Sequence, residues 1–177
     1  MLGTNVGQGI KLEENGKLLK TIKTYYETYD VSVDVKVHSA SRWGVILDVT
    51  SQMGNAIGNR IPKFFVKPKG PVFHLCSTAN DKVSIAQDVP LTLEKWTNIN
   101  VRQKEVGGKY MLQYFVDRVL VYQIENKNAQ KFQNIKVIKG ETGNNLADCH
   151  IDNLKVTTPM SNGLIGRHEV HISTELA

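Results

Sequence analysis

Apolar and polar residues alternate with a period of two along most of the chain. In "VSVDVKVH" (31–38), Val31, Val33, Val35 and Val37 fall on one face and Ser32, Asp34, Lys36 and His38 on the other. Successive side chains of a strand point to opposite faces, so the pattern predicts a strand with one side in a core and one in water. Further short runs rich in β-branched and aromatic residues follow: "WGVILDV", "KFFVK", "VFHLCS", "KVSIAQ", "WTNINVRQ", "YMLQYFV", "VLVYQIEN", "FQNIKVIKG" and "CHIDNLKV". Turn-forming clusters such as "ENGK", "MGNAIGN", "KPKGP", "EVGGK", "ENKNAQ" and "GETGNN" separate them. No segment keeps helical apolar spacing for the ten or so residues a helix assignment needs. Many short strands at this spacing predict an all-β sandwich or barrel.

Two reversals are sharp. Asp117-Arg118 separates "YMLQYFV" from "VLVYQI", and Gly107-Gly108 separates "WTNINVRQ" from "YMLQYFV", so both predict tight hairpins. Asp117 tolerates a left-handed turn conformation better than Arg118 does. In "GNRIP", Pro62 forces Ile61 out of helical space and removes a ladder donor, so the corner ends one strand and aims the next. A sandwich domain is expected over residues 1–158, with 159–177 a C-terminal tail, edge strand or linker in which "HEVHIST" alternates.

The 177 residues suit one domain, and 41% apolar with 22% charged residues is an ordinary globular balance. No stretch approaches the roughly 20 apolar residues of a membrane-crossing helix. The net charge of +5 comes from basic residues spread along the chain, densest at Lys63, Lys67 and Lys69. No zinc-finger spacing or RNA-binding sheet signature accompanies it, so no nucleic-acid partner is expected. The first residues, "MLGTNVGQGIKLEENGK", lack the charged-then-apolar layout of a secretory signal, which leaves the compartment open. Cys76 and Cys149 show no CxxC or zinc pattern. A bridge between them would close a loop of about seventy residues, worth roughly 4 kcal/mol in the chain-entropy model; each could equally be a small buried apolar group.

At the central hairpin the sequence resembles a known class. "PLTLEKWTNINVRQKEVGGKYMLQYFVDRVLVYQ" is similar to the core of concanavalin A-like (laminin G/pentraxin-like) jelly rolls, in which a tryptophan opens a strand and a Y-x-V-D-G hairpin follows. Here those positions are Trp96, Ile99 and Val101, then Tyr114, Val116 and Asp117, with Arg118 where the pattern has glycine. "KFQNIKVIKG" and "ADCHIDNLKV" resemble that class's last strands, with Cys149 where a glycine is common. "GNRIPKFFVKPKGPVFHLCSTAND" further resembles jelly-roll modules of large extracellular and cell-surface proteins of invertebrate animals.

The resemblance implies a two-sheet antiparallel jelly-roll sandwich. It also implies a secreted or cell-surface setting within a larger multidomain protein and no defining enzymatic activity. That setting makes the Cys76–Cys149 disulfide the expectation.

Catalytic motifs are missing: no G-x-S-x-G elbow, P-loop, HExxH or dinucleotide turn, and no E-x-D-x-E pair of the kind used by glycosidases on such sandwiches. No catalytic residue is assigned. Asp148, His150 and Asp152 share one strand face and would suit acid–base or metal chemistry. The simpler reading puts Cys149 and Ile151 in the core and those three in water. His168 and His171 flank Glu169 in the tail and are read as exposed polar residues. Calcium at a sandwich edge needs carboxylate and amide oxygens, for which Asp48, Asn80 and Asp81 are the candidates. Asn55 and Asn59 lie nearby in the glycine-rich loop. A sugar needs an aromatic platform with planar polar partners. Candidate ligand-binding residues are therefore Trp43, Asn55, Asn59, Arg60, Asn80 and Asp81, with Tyr25, Tyr26 and Tyr29 as further rings. Trp43 and Trp96 are read first as core anchors, and Arg60 first as a packing residue. The function expected is a non-catalytic recognition or adhesion module for an extracellular protein or glycan. The alternative is a Ca-assisted, lectin-like carbohydrate-binding domain.

Overall fold

A computed structural model describes residues 9–51, 56–159 and 167–172, the last in backbone only. Its strands are β1 (Ile10–Lys11), β2 (Lys17–Tyr25), β3 (Tyr29–Ser39), β4 (Gly44–Thr50), β5 (Lys63–Lys67), β6 (Val72–Ala79), β7 (Lys82–Pro90), β8 (Trp96–Val106), β9 (Lys109–Val116), β10 (Val119–Glu125), β11 (Phe132–Lys139), β12 (Asp148–Pro159) and β13 (Arg167–Ile172). A seven-stranded sheet runs β1-β12-β3-β8-β9-β10, with β13 also on β12, and a six-stranded sheet runs β2-β11-β4-β5-β6-β7. All strand pairs are antiparallel. The chain is thus an all-β, two-sheet jelly-roll sandwich.

Alternation fills the space between the sheets. Val31, Val33 and Val35 are fully buried, and Val37 nearly so, beside Ile99, Val101, Leu112, Tyr114 and Cys149. The other sheet supplies Leu47, Val49, Phe64, Val66, Phe73, Leu75, Ile135 and Val137. Removing this much apolar surface from water at roughly 25 cal/mol per Å² is the main drive to fold. Core hydroxyls bond across the sandwich at two places: Tyr114 donates to the Ile85 carbonyl at 2.5 Å, and the Tyr29 and Ser77 hydroxyls lie 2.9 Å apart. The Tyr25 hydroxyl, by contrast, is buried without a hydrogen-bond partner.

The hairpins form where turn residues accept positive φ. Asp117 and Arg118 (φ 47° and 67°), Gly107 and Gly108 (58° and 76°), and Asn80 and Asp81 (52° and 58°) each make a two-residue reversal. The "RIP" corner is clipped on both sides: Ile61 N–H donates to the Val49 carbonyl at 2.8 Å, and Thr78 N–H to the Arg60 carbonyl at 2.6 Å.

Three expectations are corrected. Cys76 and Cys149 are both free and buried. Cys149 points into the core from β12, whereas β6 turns Phe73 and Leu75 inward and Cys76 to the outer side of its own sheet, its Sγ on the Lys63 carbonyl at 3.5 Å. A disulfide needs β-carbons within about 4.5 Å, and the two thiols leave opposite faces of different sheets. Trp43 is no core anchor, being 46% exposed. Trp96 is half-buried on the outer face of the seven-stranded sheet, with the Lys36 ammonium 5.5 Å from its ring centroid. Inward-facing Thr97 and Ile99 fix that parity.

Candidate ligand-recognition face

Two cross-strand rows build an unusual surface on the outer side of the six-stranded sheet. In one, Val45, Phe65, His74 and Asp88 stand opposite one another on β4, β5, β6 and β7. In the next, Asp48, Lys63, Cys76 and Ala86 do the same. The rows align because Ile46 is an extra residue in β4: Val45 pairs with Phe65 and Leu47 with Phe64, so Ile46 and Leu47 both enter the core. A bulge of this kind resets the side-chain parity of all that follows.

Trp43 stands at the head of the first row. A β-carbon on Gly44 would come within 2.6 Å of the Ala147 backbone, so only glycine lets the 145–147 loop close onto β4 there. The indole meets Phe65 edge-on at 6.0 Å and His74 at 5.5 Å between ring centroids. The Lys67 ammonium lies 5.1 Å from its centroid and bonds Asp88 at 2.6 Å, while His74 Nδ1 reaches the same carboxylate at 2.5 Å. Burial works against the Asp88 charge, but the Lys67 and His74 hydrogen bonds outweigh it and hold the carboxyl below its ordinary value. The ring is exposed yet pinned, with fixed polar groups at its rim.

The second row carries charge out of water. Lys63 is 3% exposed and bonds Asp48 at 3.3 Å and Glu141 at 2.5 Å. Glu141 reaches it because Gly140, at φ 69°, turns the chain back after β11. Burial pushes the Asp48 carboxyl up to about 6, with Lys63 pulling it down and Glu141 pushing it up. Asp48 Oδ1 is buried with no hydrogen-bond partner. The Lys63 ammonium and the Arg60 guanidinium lie 5.2 and 6.0 Å from the Phe65 ring centroid, linking the two rows.

Of the residues singled out in the sequence, Trp43, Asp48 and Arg60 meet on this face. Asn59 is buried in the corner, and neither its side-chain oxygen nor its nitrogen has a partner. Asn55 lies outside the described residues. Asn80 and Asp81 sit apart, in the β6–β7 turn. Asn80 Nδ2 donates to the Glu125 carbonyl at 2.8 Å, Asn80 Oδ1 accepts from Lys127 N–H at 2.8 Å, and Asp81 accepts from Asn128. These bonds staple the turn to the loop after β10. Among the described residues no three of His, Cys, Asp or Glu converge in a metal-holding group. Asp148, His150 and Asp152 do face outward from β12, while Cys149 and Ile151 are buried. His168, Glu169 and His171 fall on β13, whose side chains lie outside the description.

Phe65, His74, Asp88 and Glu141 were not legible as site residues, and Lys63 and Lys67 read only as a basic cluster. The one local signal is "KFFVK", where Phe65 alternates with two lysines on the same face.

No protein-family profile and no curated protein matches the sequence. Solved structures do resemble the fold. A native heptameric SAP-like pentraxin from Limulus polyphemus is 14% identical, with a TM-score of 0.55 over 78% of this chain and 67% of its own. The receptor-binding domain of botulinum neurotoxin type G is 10% identical, with a TM-score of 0.52 over 82% of this chain and 38% of its own. Sheep galectin-11 in complex with glycerol is 14% identical, covering 81% of this chain and 98% of its own at a TM-score of 0.48. At such identities the likeness of the first two is one of fold.

Proposed function

We propose that this chain is a non-catalytic glycan-recognition module of an extracellular or cell-surface multidomain protein, binding through the outer face of the six-stranded sheet. The observation that carries the reading is Trp43, a ring 46% exposed on a sheet face and held edge-on by Phe65 and His74. Sugar C–H faces stack on such rings, and hydroxyls need fixed donors and acceptors beside them, here Lys67, His74 and Asp88. A rigid platform binds with little loss of side-chain entropy. The two carboxylates that could suggest hydrolysis, Asp48 and Glu141, are bracketed by one ammonium, and Asp48 is 4% exposed. A glycosidase needs its carboxyls facing the scissile bond. Because Asn80 and Asp81 spend side-chain oxygens on the neighbouring loop, binding is expected to persist without calcium.

A protein-facing reading has one observation in its favour. Edge strand β10 leaves Val119 and Leu120 exposed at 64% and 43%, and Glu125 is its one charged residue. Edges of this kind accept partner strands.

A glycan array with calcium and with EDTA, run on the wild type, Trp43→Ala and Val119→Lys, separates the two. The glycan reading expects binding in both conditions, lost at least about tenfold in Trp43→Ala, as removal of a stacking hot spot requires, and kept in Val119→Lys. Silence of the wild type on the array would overturn it and leave the β10 edge as the surface to pursue.

A further inference from the structure

On the opposite sheet, His38 of β3 and His150 of β12 face each other across neighbouring strands. His38 Nε2 lies 2.6 Å from His150 Nδ1, and the rings cross edge-on with centroids 4.8 Å apart. The other nitrogen of His38, Nδ1, lies 2.7 Å from Glu94 Oε1. We propose that His38 and His150 form a binding site for a late first-row divalent ion, Zn²⁺, Ni²⁺ or Cu²⁺, with Glu94 as the outer partner that orients His38.

The argument begins with the backbone. Val37 pairs with Cys149 and Ser39 with Asp148, so His38 is an extra residue between consecutive partners. A bulge re-aims the side chain it carries, and here it turns His38 toward His150. Glu94 is set by its own strained backbone, at φ 60°, with its N–H on the Val37 carbonyl at 2.8 Å. Both ends of the Glu94–His38 contact are therefore anchored by the main chain.

The chemistry follows from the proton positions. A carboxylate only accepts, so His38 must donate from Nδ1 to Glu94, and a neutral His38 keeps its lone pair on Nε2. That is the arrangement in which a histidine ligates a metal while its other N–H bonds a carboxylate. In the free pair the 2.6 Å contact needs a proton, which His150 donates from Nδ1 to His38 Nε2. To bind the metal, His150 shifts to the tautomer protonated on Nε2 and offers its Nδ1 lone pair instead. Metal–nitrogen bonds of 2.0–2.1 Å in tetrahedral geometry need the two nitrogens about 3.3 Å apart, so the pair opens by less than an ångström. Water completes the coordination. Lys11 and Lys36 stand opposite His150 on β1 and β3. Their charge disfavours ions held by electrostatics alone, such as Ca²⁺ and Mg²⁺, and leaves those that bond imidazole strongly.

The site does not depend on the glycan reading, which concerns the other sheet. It is tested by calorimetric titration of ZnCl₂ into the full chain carrying His168→Ala and His171→Ala, so that β13 cannot contribute. One saturable zinc per chain is expected, abolished by His38→Ala and by His150→Ala. Glu94→Gln, which leaves both ligands in place, should weaken it about tenfold or more. Each variant's melting temperature is recorded, so that loss of fold is not read as loss of ligand. As a second measurement, Cu²⁺ should quench Trp96 in a Trp43→Phe background, because Trp96 lies two strands from His150 through Lys36. Absence of zinc heat in the wild-type site, or equal affinity in both folded single-histidine variants, overturns the proposal.

Discussion

Asp48 shows what one residue's surroundings do to its chemistry. On an exposed strand face it would be an ordinary carboxylate; held beside Lys63 under Glu141 its carboxyl is pushed up to about 6, chiefly by burial. Here the folded-state value lies above the unfolded one of 3.8. The folded protein therefore binds the proton more tightly, and the stability this group contributes is fully present below 3.8 and lost as pH rises through about 6. Asp48→Asn abolishes that dependence while Glu141 still holds Lys63. The difference in melting temperature between variant and wild type should therefore shift in the variant's favour from about pH 4 to pH 7. A flat difference across that range would mean Asp48 ionises like an exposed carboxylate. Nothing local announces this behaviour. Asp48 reads as a polar position in "WGVILDV", and its partners come from β5 and the loop after β11.

Among the elements, the hairpins were the most legible, because two-residue turns carry their own chemistry. The β9–β10 turn forms at Asp117-Arg118, although Arg118 lacks glycine's freedom at φ 67°. Asp117 is anchored by accepting from Asn98 N–H at 2.9 Å, so the strain belongs to Arg118. A left-handed conformation costs a residue with a β-carbon roughly 1–2 kcal/mol, and glycine returns part of that through its freer unfolded chain. Arg118→Gly should therefore raise stability by about 0.5–1 kcal/mol, read as a higher midpoint in urea at unchanged slope. A lowered midpoint would show that the Arg118 side chain, which lines a polar groove with Asp30 and Asn100, contributes more than the turn strain removes. Bulges were the illegible counterpart. The extra residues at Ile46 and His38 look like any other strand positions, yet each changes which face its neighbours occupy.

At the scale of the whole molecule, the cysteines show how a resemblance to extracellular modules can mislead. Each lies in a strand, and both are buried, but Cys149 fills the core while Cys76 backs the Lys63 row. Burial pushes both thiols above their ordinary value, so neither is a thiolate at neutral pH. Native protein should leave a thiol reagent unreacted, and denatured protein should consume two equivalents. An unreduced intact mass lower by two hydrogens would restore the bridge and require β6 or β12 to be re-registered.

Alternation of valines with polar residues and the chemistry of the turns between them are local properties. The jelly-roll class was implied by the resemblance at the central hairpin and the last strands, while the strands, the tight hairpins, an all-β sandwich or barrel and the inward side of β3 and β12 could be read from the sequence. Which outward residues become neighbours could not. That depends on the order of strands within each sheet and on parity, and one bulged residue reverses it for the rest of a strand. Trp43 with His74, Lys63 with Glu141 and His38 with His150 are pairs made by long-range register. Both surfaces to which a ligand is assigned here therefore belong to the tertiary structure: the energy that sets the register is the burial of the opposite, apolar face.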